Sequence, residues 1–325
     1  MEPKILATGW YLPSRVVSND ELSQSLDTND EWIRSHTGIA ERRIASPEES
    51  ASDLGLLALN DALSRANLPA SQLDLIIVAT STPDYLSFPS TASIIQARSG
   101  ASRAGAFDIS VACSGFSYGL ELARSMIVSQ AARYVAVIGA EIFSRILNWK
   151  DRSTCVLFGD GAGAVIVGPS DGSPGLLGSI LRSEGEGADS LLRPVGGSRV
   201  PLKPTDEYEK TCLVMDGRRV YNFAVRVVKE SLEDILQKFQ KKLEDVAWIV
   251  PHQANKRIIE GVAKRMNLSE SRFFMNIERF ANTSASSIPI ALADMDRQGL
   301  LKRGDLVVTI GFGAGLAWGA NLFYW

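Results

Sequence analysis

The sequence predicts an α/β protein made of two related halves, each alternating strands and helices around a parallel-rich sheet. Three observations carry that prediction. Short continuous apolar runs at 73–80, 134–139, 246–252 and 305–310 have the length and β-branched content of strands buried on both faces. Amphipathic stretches such as 50–66 and 221–239 lie between them. The pattern then recurs. Residues 73–80 correspond to 246–252, Ala112-Cys113-Ser-Gly to Ala281-Asn282-Thr-Ser, and Gly159-Asp-Gly-Ala-Gly-Ala to Gly311-Phe-Gly-Ala-Gly-Leu. The spacing repeats too: Thr80 to Cys113 is 33 residues and His252 to Asn282 is 30. Residues 1–170 and 171–325 are therefore read as two halves about a pseudo-twofold axis, which would bring Cys113, His252 and Asn282 together.

Taken in order, residues 4–9 read as the first strand, and Leu12-Pro13 opens a loop. The polar stretch 29–43 carries one large aromatic, Trp32, either a packing anchor or a stacking surface for a planar ligand group. Residues 50–66 form a helix with Leu54, Leu57, Leu59 and Leu63 on or near one face, and 73–80 a buried strand. A helix starts behind Phe88-Pro89. In 107–123 a short strand stops at Cys113, Ser114 and Gly115 follow, and Phe116, Leu120, Leu122 and Ala123 continue at helical spacing. Cys113 thus lies at a helix N-terminus, where unpaired N–H groups and the dipole favour a thiolate. Gly115 leaves room for a substrate to approach the sulfur. A lone cysteine on a buried strand is otherwise a packing residue, the reading given to Cys155 and Cys212.

Residues 134–139 read as another buried strand. Residues 154–167 read as strand, glycine turn and strand, with Asp160 bracing the turn. Glycine and proline crowd 169–204, predicting a linker followed by loops. A long helix over 221–239 and a strand over 246–252 ending in His252 come next. A helix over 253–267 follows, then 276–280 leading into 281–287, and a helix over 288–295. Strands at 305–310 and 317–324, joined by a glycine turn, close the chain.

Composition bounds the function. The chain has 325 residues, 45% hydrophobic and 22% charged, which is ordinary for a globular protein with a sizeable core. A net charge of −3 supplies no overall basic excess for nucleic acid. No uncharged apolar run reaches the roughly 18 residues of a membrane span. The N-terminus lacks the charged start and apolar core of a signal peptide. Three widely spaced cysteines make neither a disulfide framework nor a metal site. A reduced, cytoplasmic setting is expected. One local departure is the stretch 256–266, where Lys256, Arg257, Lys264 and Arg265 stand against a single acid on one predicted helix. Solvated surface is the ordinary explanation for such a run; docking of an acidic partner is the other.

Six motifs, in this order and spacing, resemble the signatures of the 3-oxoacyl-(acyl-carrier-protein) synthase III family, in the thiolase-like superfamily. They are Asp-Glu-Trp32-Ile, Ala112-Cys113-Ser-Gly-Phe, Phe158-Gly-Asp-Gly-Ala-Gly, His252-Gln-Ala-Asn255, Asn282-Thr-Ser-Ala-Ser and Gly311-Phe-Gly-Ala-Gly. Any one alone is weak; together they span the chain. The resemblance implies a five-layered α/β/α/β/α fold, a homodimer, and Cys113, His252 and Asn282 as a catalytic set. It implies decarboxylative condensation of an acyl-CoA with malonyl-acyl carrier protein through an acyl-Cys113 intermediate, initiating fatty-acid synthesis. Backbone N–H groups of Cys113 and Ala314 would form the oxyanion hole, with Ala314 standing where relatives often have glycine. Trp32 and Arg152 would sandwich the adenine of CoA; Met215, Gly217 and Tyr221 would line the pantetheine tunnel, and Asn255 would bond its arm. His36 replaces a common arginine. Phe88 would close the acyl pocket of the second subunit, and Lys256, Arg257, Lys264 and Arg265 would dock the carrier protein. Acyl-CoA is a substrate, and no metal or other cofactor is implied.

Composition bears on the alternatives. His36 and His252 are the only histidines, so a Cys-His-His elongating relative lacks its second histidine at Asn282. A thiolase would need a second cysteine in the closing glycine turn. A related acyltransferase or condensing enzyme of natural-product biosynthesis stays open, and the choice of primer is not written in the sequence.

Overall fold

The computed structural model describes residues 2–325. The first part of the chain supplies β1 (Pro3–Tyr11), the pair β2 (Arg15–Ser18) and β3 (Glu41–Ile44), then β4 (Leu75–Ala79), β5 (Gly105–Ile109), β6 (Val135–Ile142) and β7 (Asp160–Pro169). Between them lie α1 (Asn19–Ser23), α2 (Asp30–Thr37), α3 (Ala51–Ala66), α4 (Thr91–Ser99) and α5 (Gly115–Val128). The rest adds β8 (Leu176–Ser183), the pair β9 (Leu191–Leu192) and β10 (Val214–Met215), β11 (Val246–Pro251), β12 (Leu306–Gly313) and β13 (Ala317–Tyr324). Its helices are α6 (Gly217–Lys238), α7 (Lys256–Met266), α8 (Ile277–Phe280) and α9 (Ser287–Arg297).

Two sheets result, ordered β1-β7-β6-β4-β5 and β11-β12-β13-β8. A parallel bridge from Phe273 to Ile249 marks the place of a fifth strand in the second. With its strands counted in chain order, each sheet reads 1-5-4-2, and β5 and the Phe273 bridge take the third place. The expected repeat is therefore present in topology. The sheets are mixed rather than parallel-rich: β4 pairs parallel with β5 and β6, but β6–β7 and β7–β1 are antiparallel, and β12–β13 and β13–β8 repeat that pattern.

Helices α5 and α9 lie between the sheets, α3 and α4 cover the first, and α6 and α7 cover the second. This is the expected α/β/α/β/α layering. The middle core joins Phe116, Leu120 and Ile127 of α5 to Ile288, Leu292 and Met295 of α9 and to valines of both sheets. Each fully buried side chain of this size contributes about 1.5–3 kcal/mol. Close approach requires small residues. A Cβ on Gly139 of β6 would lie 2.4 Å from the Ala285 carbonyl oxygen, so only glycine lets the turn before α9 rest on that strand.

Several sequence expectations are corrected. Residues 176–183, expected within a linker and loops, form β8, an edge strand with Leu176 and Ile180 buried. Its neighbouring glycines and prolines hid an apolar core strand. Residues 154–157 are turn rather than strand, Phe158 makes only an isolated bridge to Asn282, and β7 begins at Asp160. The glycine run after Gly159 therefore lies inside a strand, with the Asp160 carboxylate accepting the Ser144 and Ala45 N–H groups at 2.9 and 2.8 Å. Gly311 and Gly313 likewise end β12, leaving only residues 314–316 as the turn. The two glycine runs are not equivalent in the repeat: one opens a fifth strand and the other ends a fourth. Close packing of the central helices accounts for glycine in both: a Cβ on Gly163 would lie 2.6 Å from Ile290 N of α9, and one on Gly311 would lie 2.9 Å from Ser117 Oγ of α5.

Candidate active site

Cys113 sits where β5 gives way, through a short 3-10 turn (Ala112–Ser114), to α5. Ala112 holds φ +44°, a strained value for a non-glycine residue, and its counterpart Ala281 before Asn282 holds φ +57°. Both backbones are bent sharply just before the residue that faces the site. Cys113 is only 5% exposed, and its Sγ donates to Ser284 Oγ at 3.4 Å. Burial pushes the thiol up to about 12, with the nearby negative charge of Glu141 adding to it against the Ser284 hydrogen bond. Burial thus works against the thiolate that the helix N-terminus favours. The assigned role of Gly115 changes. A Cβ there would meet Ala79 Cβ at 2.7 Å, so Gly115 serves helix–strand packing. The glycine that leaves room at the sulfur is Gly313, whose Cβ would lie 3.1 Å from Cys113 Sγ.

His252 follows β11 and is buried, its N–H donating to the Ile310 carbonyl at 2.8 Å. Burial lowers its pKa to about 3, so the ring is neutral. Nδ1 is 2.6 Å from Ser287 Oγ, which also accepts the Gln253 N–H at 3.4 Å. A Ser287 hydroxyl that donates to Nδ1 leaves the ring proton on Nε2. Asn282, from the turn before α9, has Oδ1 occupied by the Ser284 N–H at 2.9 Å. Its Nδ2 is the end left to donate. The site therefore offers two neutral donors and one thiol, and the three side chains line one cavity of about 450 Å³.

The same cavity is lined by Trp32, Arg152, Met215, Gly217, Tyr221, Asn255 and Arg257, as well as the catalytic candidates. Residues of α2 and α7 form one side of it, and the two helices are clamped together. Asn255 caps α7 through the Arg257 N–H at 2.9 Å and donates Nδ2 to the His36 carbonyl at 3.1 Å. Both ends of its amide are thus engaged within the chain. Arg257 Nε donates to the Ser35 carbonyl at 3.0 Å. On α2, His36 stacks on Trp32 with ring centroids 4.4 Å apart, and the Arg152 guanidinium lies 5.3 Å from the Trp32 centroid. A planar ring between Trp32 and Arg152 needs about 7 Å, two contacts of about 3.5 Å. Arg152 must swing out to admit one.

Other expected residues are not part of the cavity lining, although Ala314 packs beside it. Ala314 follows Gly313 in the β12–β13 turn and packs in the apolar cluster that includes Met215 and Val220. Phe88 is 85% exposed on the loop before α4. Lys256 pairs with Glu260 at 3.1 Å, and Arg265 borders a separate surface cleft with Arg219 and Arg226. Sequence reasoning missed Gly313, Ser284 and Ser287. The two serines stand in the quoted run 282–287, where their number and small size were the available signal.

Two family models match the chain: 3-oxoacyl-(acyl-carrier-protein) synthase III over residues 107–185, and the C-terminal part of the same synthase over residues 236–325. The beta-ketoacyl-(acyl-carrier-protein) synthase III of Caldanaerobacter subterraneus subsp. tengcongensis is 48% identical over 322 residues, 99% of this chain and 97% of that one. The crystal structure of 3-oxoacyl-(acyl-carrier-protein) synthase III from Aquifex aeolicus VF5 is similar with a TM-score of 0.92 at 44% identity, covering 99% of this chain and all (100%) of its own. The priming beta-ketosynthase from the R1128 polyketide biosynthetic pathway is similar with a TM-score of 0.92 at 35% identity, covering 99% and 96%.

Proposed function

The chain belongs to the 3-oxoacyl-(acyl-carrier-protein) synthase III family, and from that premise we propose how its residues divide the work of a condensing acyltransferase. The reaction joins an acyl-CoA primer to malonyl-acyl carrier protein and initiates fatty-acid synthesis. Cys113 attacks the acyl-CoA thioester, the carbonyl oxygen becomes an oxyanion, and CoA leaves. Backbone N–H groups of Cys113 and Ala314 hold that oxyanion. Malonyl-acyl carrier protein then loses carbon dioxide, and negative charge develops on its thioester oxygen. His252 Nε2–H and Asn282 Nδ2 donate to that oxygen. The resulting carbanion attacks acyl-Cys113 and frees the thiol.

One observation supports this division most strongly: a buried thiol and two neutral donors meet in one cavity, although Cys113 and the other two come from opposite halves. Thioester exchange and decarboxylation on this set call for no metal or redox group.

The surroundings support the remaining assignments. Trp32 and Arg152 at the mouth bind the adenine end of CoA by stacking and cation–π contact, and Met215, Gly217 and Tyr221 line the arm's path. Asn255 holds the α2–α7 wall beside it. Lys256, Arg257, Lys264 and Arg265 receive the acidic carrier protein. β5 is an unpaired sheet edge, and Phe107 on it and Tyr85, Leu86 and Phe88 are exposed apolar residues. Pairing of that edge with a second copy covers them and gives the homodimer. No helix among the described residues is long and apolar enough to cross a membrane, and a cytoplasmic setting fits a pathway built on CoA and carrier-protein thioesters.

The likeness to the R1128 priming ketosynthase favours a second reading, priming of a natural-product pathway by the same chemistry. The test is intact-protein mass spectrometry after incubation with a panel of acyl-CoAs, followed by malonyl-acyl carrier protein and product analysis. Wild type should gain one acyl mass and Cys113→Ala none. Labelling at Cys155 or Cys212 would sink the nucleophile assignment, and the preferred primer separates the two pathways.

A further inference from the structure

Glu141 is fully buried near the end of β6 and takes no part in the reading above. Its carboxylate accepts the Ser81 N–H at 3.0 Å and the Thr82 hydroxyl at 2.6 Å, with the Thr80 hydroxyl at 3.4 Å. From the other half of the molecule, the Ser284 hydroxyl and the Ala285 N–H also face it. No lysine or arginine pairs with it among the described residues, and Cys113 is the titratable group coupled to it. Ser284 is itself fully buried and is held at φ +50°, a strained placement for a non-glycine residue. Its hydroxyl is thus in contact with the Cys113 thiol and also faces the Glu141 carboxylate.

The thiol needs an acceptor for its proton. His252 is a poor one, since burial holds its conjugate acid near 3. The hydrogen-bond partner of Sγ is Ser284 Oγ. Burial pushes Glu141 up to about 7, against the hydrogen bonds that favour its charge. Above that pH the carboxylate is ionised and able to accept; below it, it is occupied.

We propose that Ser284 and Glu141 form a proton relay for Cys113, an inference that rests on Cys113 being the acylated residue. The S–H bond breaks as its proton passes to Ser284 Oγ, while the Ser284 hydroxyl proton passes to a Glu141 carboxylate oxygen. The freed sulfur electron pair forms the new bond to the acyl carbon. The C–S bond to CoA then breaks, and the CoA thiolate takes a proton from solvent at the cavity mouth. Glu141 keeps the cysteine's proton through the acyl-enzyme stage. When the carbanion attacks acyl-Cys113, the leaving cysteine thiolate recovers that proton through Ser284, and Glu141 is again ionised. One proton is taken from solvent per turnover, as decarboxylative condensation requires. Neutralising Glu141 during acylation also removes the negative charge that opposes a thiolate beside it.

The test is single-turnover acylation from about pH 5.5 to 9 on wild type, Glu141→Gln, Glu141→Asp and Ser284→Ala. It uses whichever of acetyl-, isobutyryl- and octanoyl-CoA labels fastest, with the acylated peptide mapped. Alkylation of Cys113 by iodoacetamide over the same range gives a readout free of CoA binding. Wild-type rates should rise through about pH 7 in both assays. Glu141→Gln and Ser284→Ala should lose that rise and fall about 10²–10⁴-fold at neutral pH, the usual worth of general base catalysis. Glu141→Asp should restore part of the pH-dependent limb. A wild-type limb in Glu141→Gln, or an equal loss at every pH in both variants, would overturn the relay in favour of a structural brace. If Glu141→Gln does not fold, the profile of Ser284→Ala decides alone. Label on a residue other than Cys113 would overturn the underlying reading instead.

Discussion

At the scale of single residues, the environment of each side chain decides its chemistry. His252 and Cys113 are both buried, and burial keeps both uncharged, lowering one pKa and raising the other. A neutral imidazole is the form that donates without adding charge. His252 therefore stays competent until the pH falls towards about 3, far below the ordinary imidazole value of about 6.5. Carbon dioxide release from malonyl-acyl carrier protein by pre-acylated enzyme should accordingly stay level from about pH 8 to 5.5. A fall centred near the ordinary value would show that His252 acts as a cation or a free base. That Cys113, His252 and Asn282 meet in one cavity was legible in the sequence, because Cys113 and Asn282 stand in matching runs of small residues and His252 ends an apolar strand. Their protonation states were not, since desolvation depends on the layers above and below. Ser284, Ser287 and Glu141 were illegible for the same reason: a serine or a strand carboxylate acquires meaning only from what it touches.

At the scale of elements, α7 divides in space what its sequence presents as one basic run. Arg257 at its start lines the cavity and ties to Ser35, whereas Lys264 and Arg265 stand exposed at its far end. Charge reversal at the two ends should separate the functions proposed for them. Lys264→Glu with Arg265→Glu should raise the Michaelis constant for malonyl-acyl carrier protein several-fold, more at low salt than at moderate salt, and leave acylation by acyl-CoA near normal. Arg257→Glu should impair both half-reactions. Steady-state kinetics of each half-reaction at two salt concentrations measures this, and an equal effect of the far-end pair on acylation would assign that face to CoA phosphates. Most helices and central strands were legible from apolar spacing. β8 was not, because an edge strand preceded by Gly175 and containing Gly178 resembles a loop in composition. The ends of β7 and β12 were misplaced because glycine reads as a turn, whereas these glycines admit a close neighbour inside a strand.

At the scale of the whole molecule, the repeat builds the site. The first half brings Cys113 and the second brings His252 and Asn282, each from the turn that leads into a central helix or from the end of a central strand. The repeat was legible as spacing, and the strand order that makes it exact in topology appeared only in three dimensions. The unpaired β5 edge is the seam we propose for a dimer. Phe107→Asp places a charge on that edge and should shift the protein towards monomer in sedimentation velocity; an unchanged mass would place the interface elsewhere. The division of labour between the halves is the central claim, and one measurement reaches it most directly. Wild type, His252→Ala and Asn282→Ala are each acylated with acyl-CoA, and a single turnover with malonyl-acyl carrier protein is then followed by mass spectrometry. Both variants should take the acyl group on Cys113 and then condense about 10²–10³-fold more slowly than wild type. Condensation near the wild-type rate, or failure of either variant to accept the acyl group at all, would contradict the assignment of acylation to one half and decarboxylation to the other.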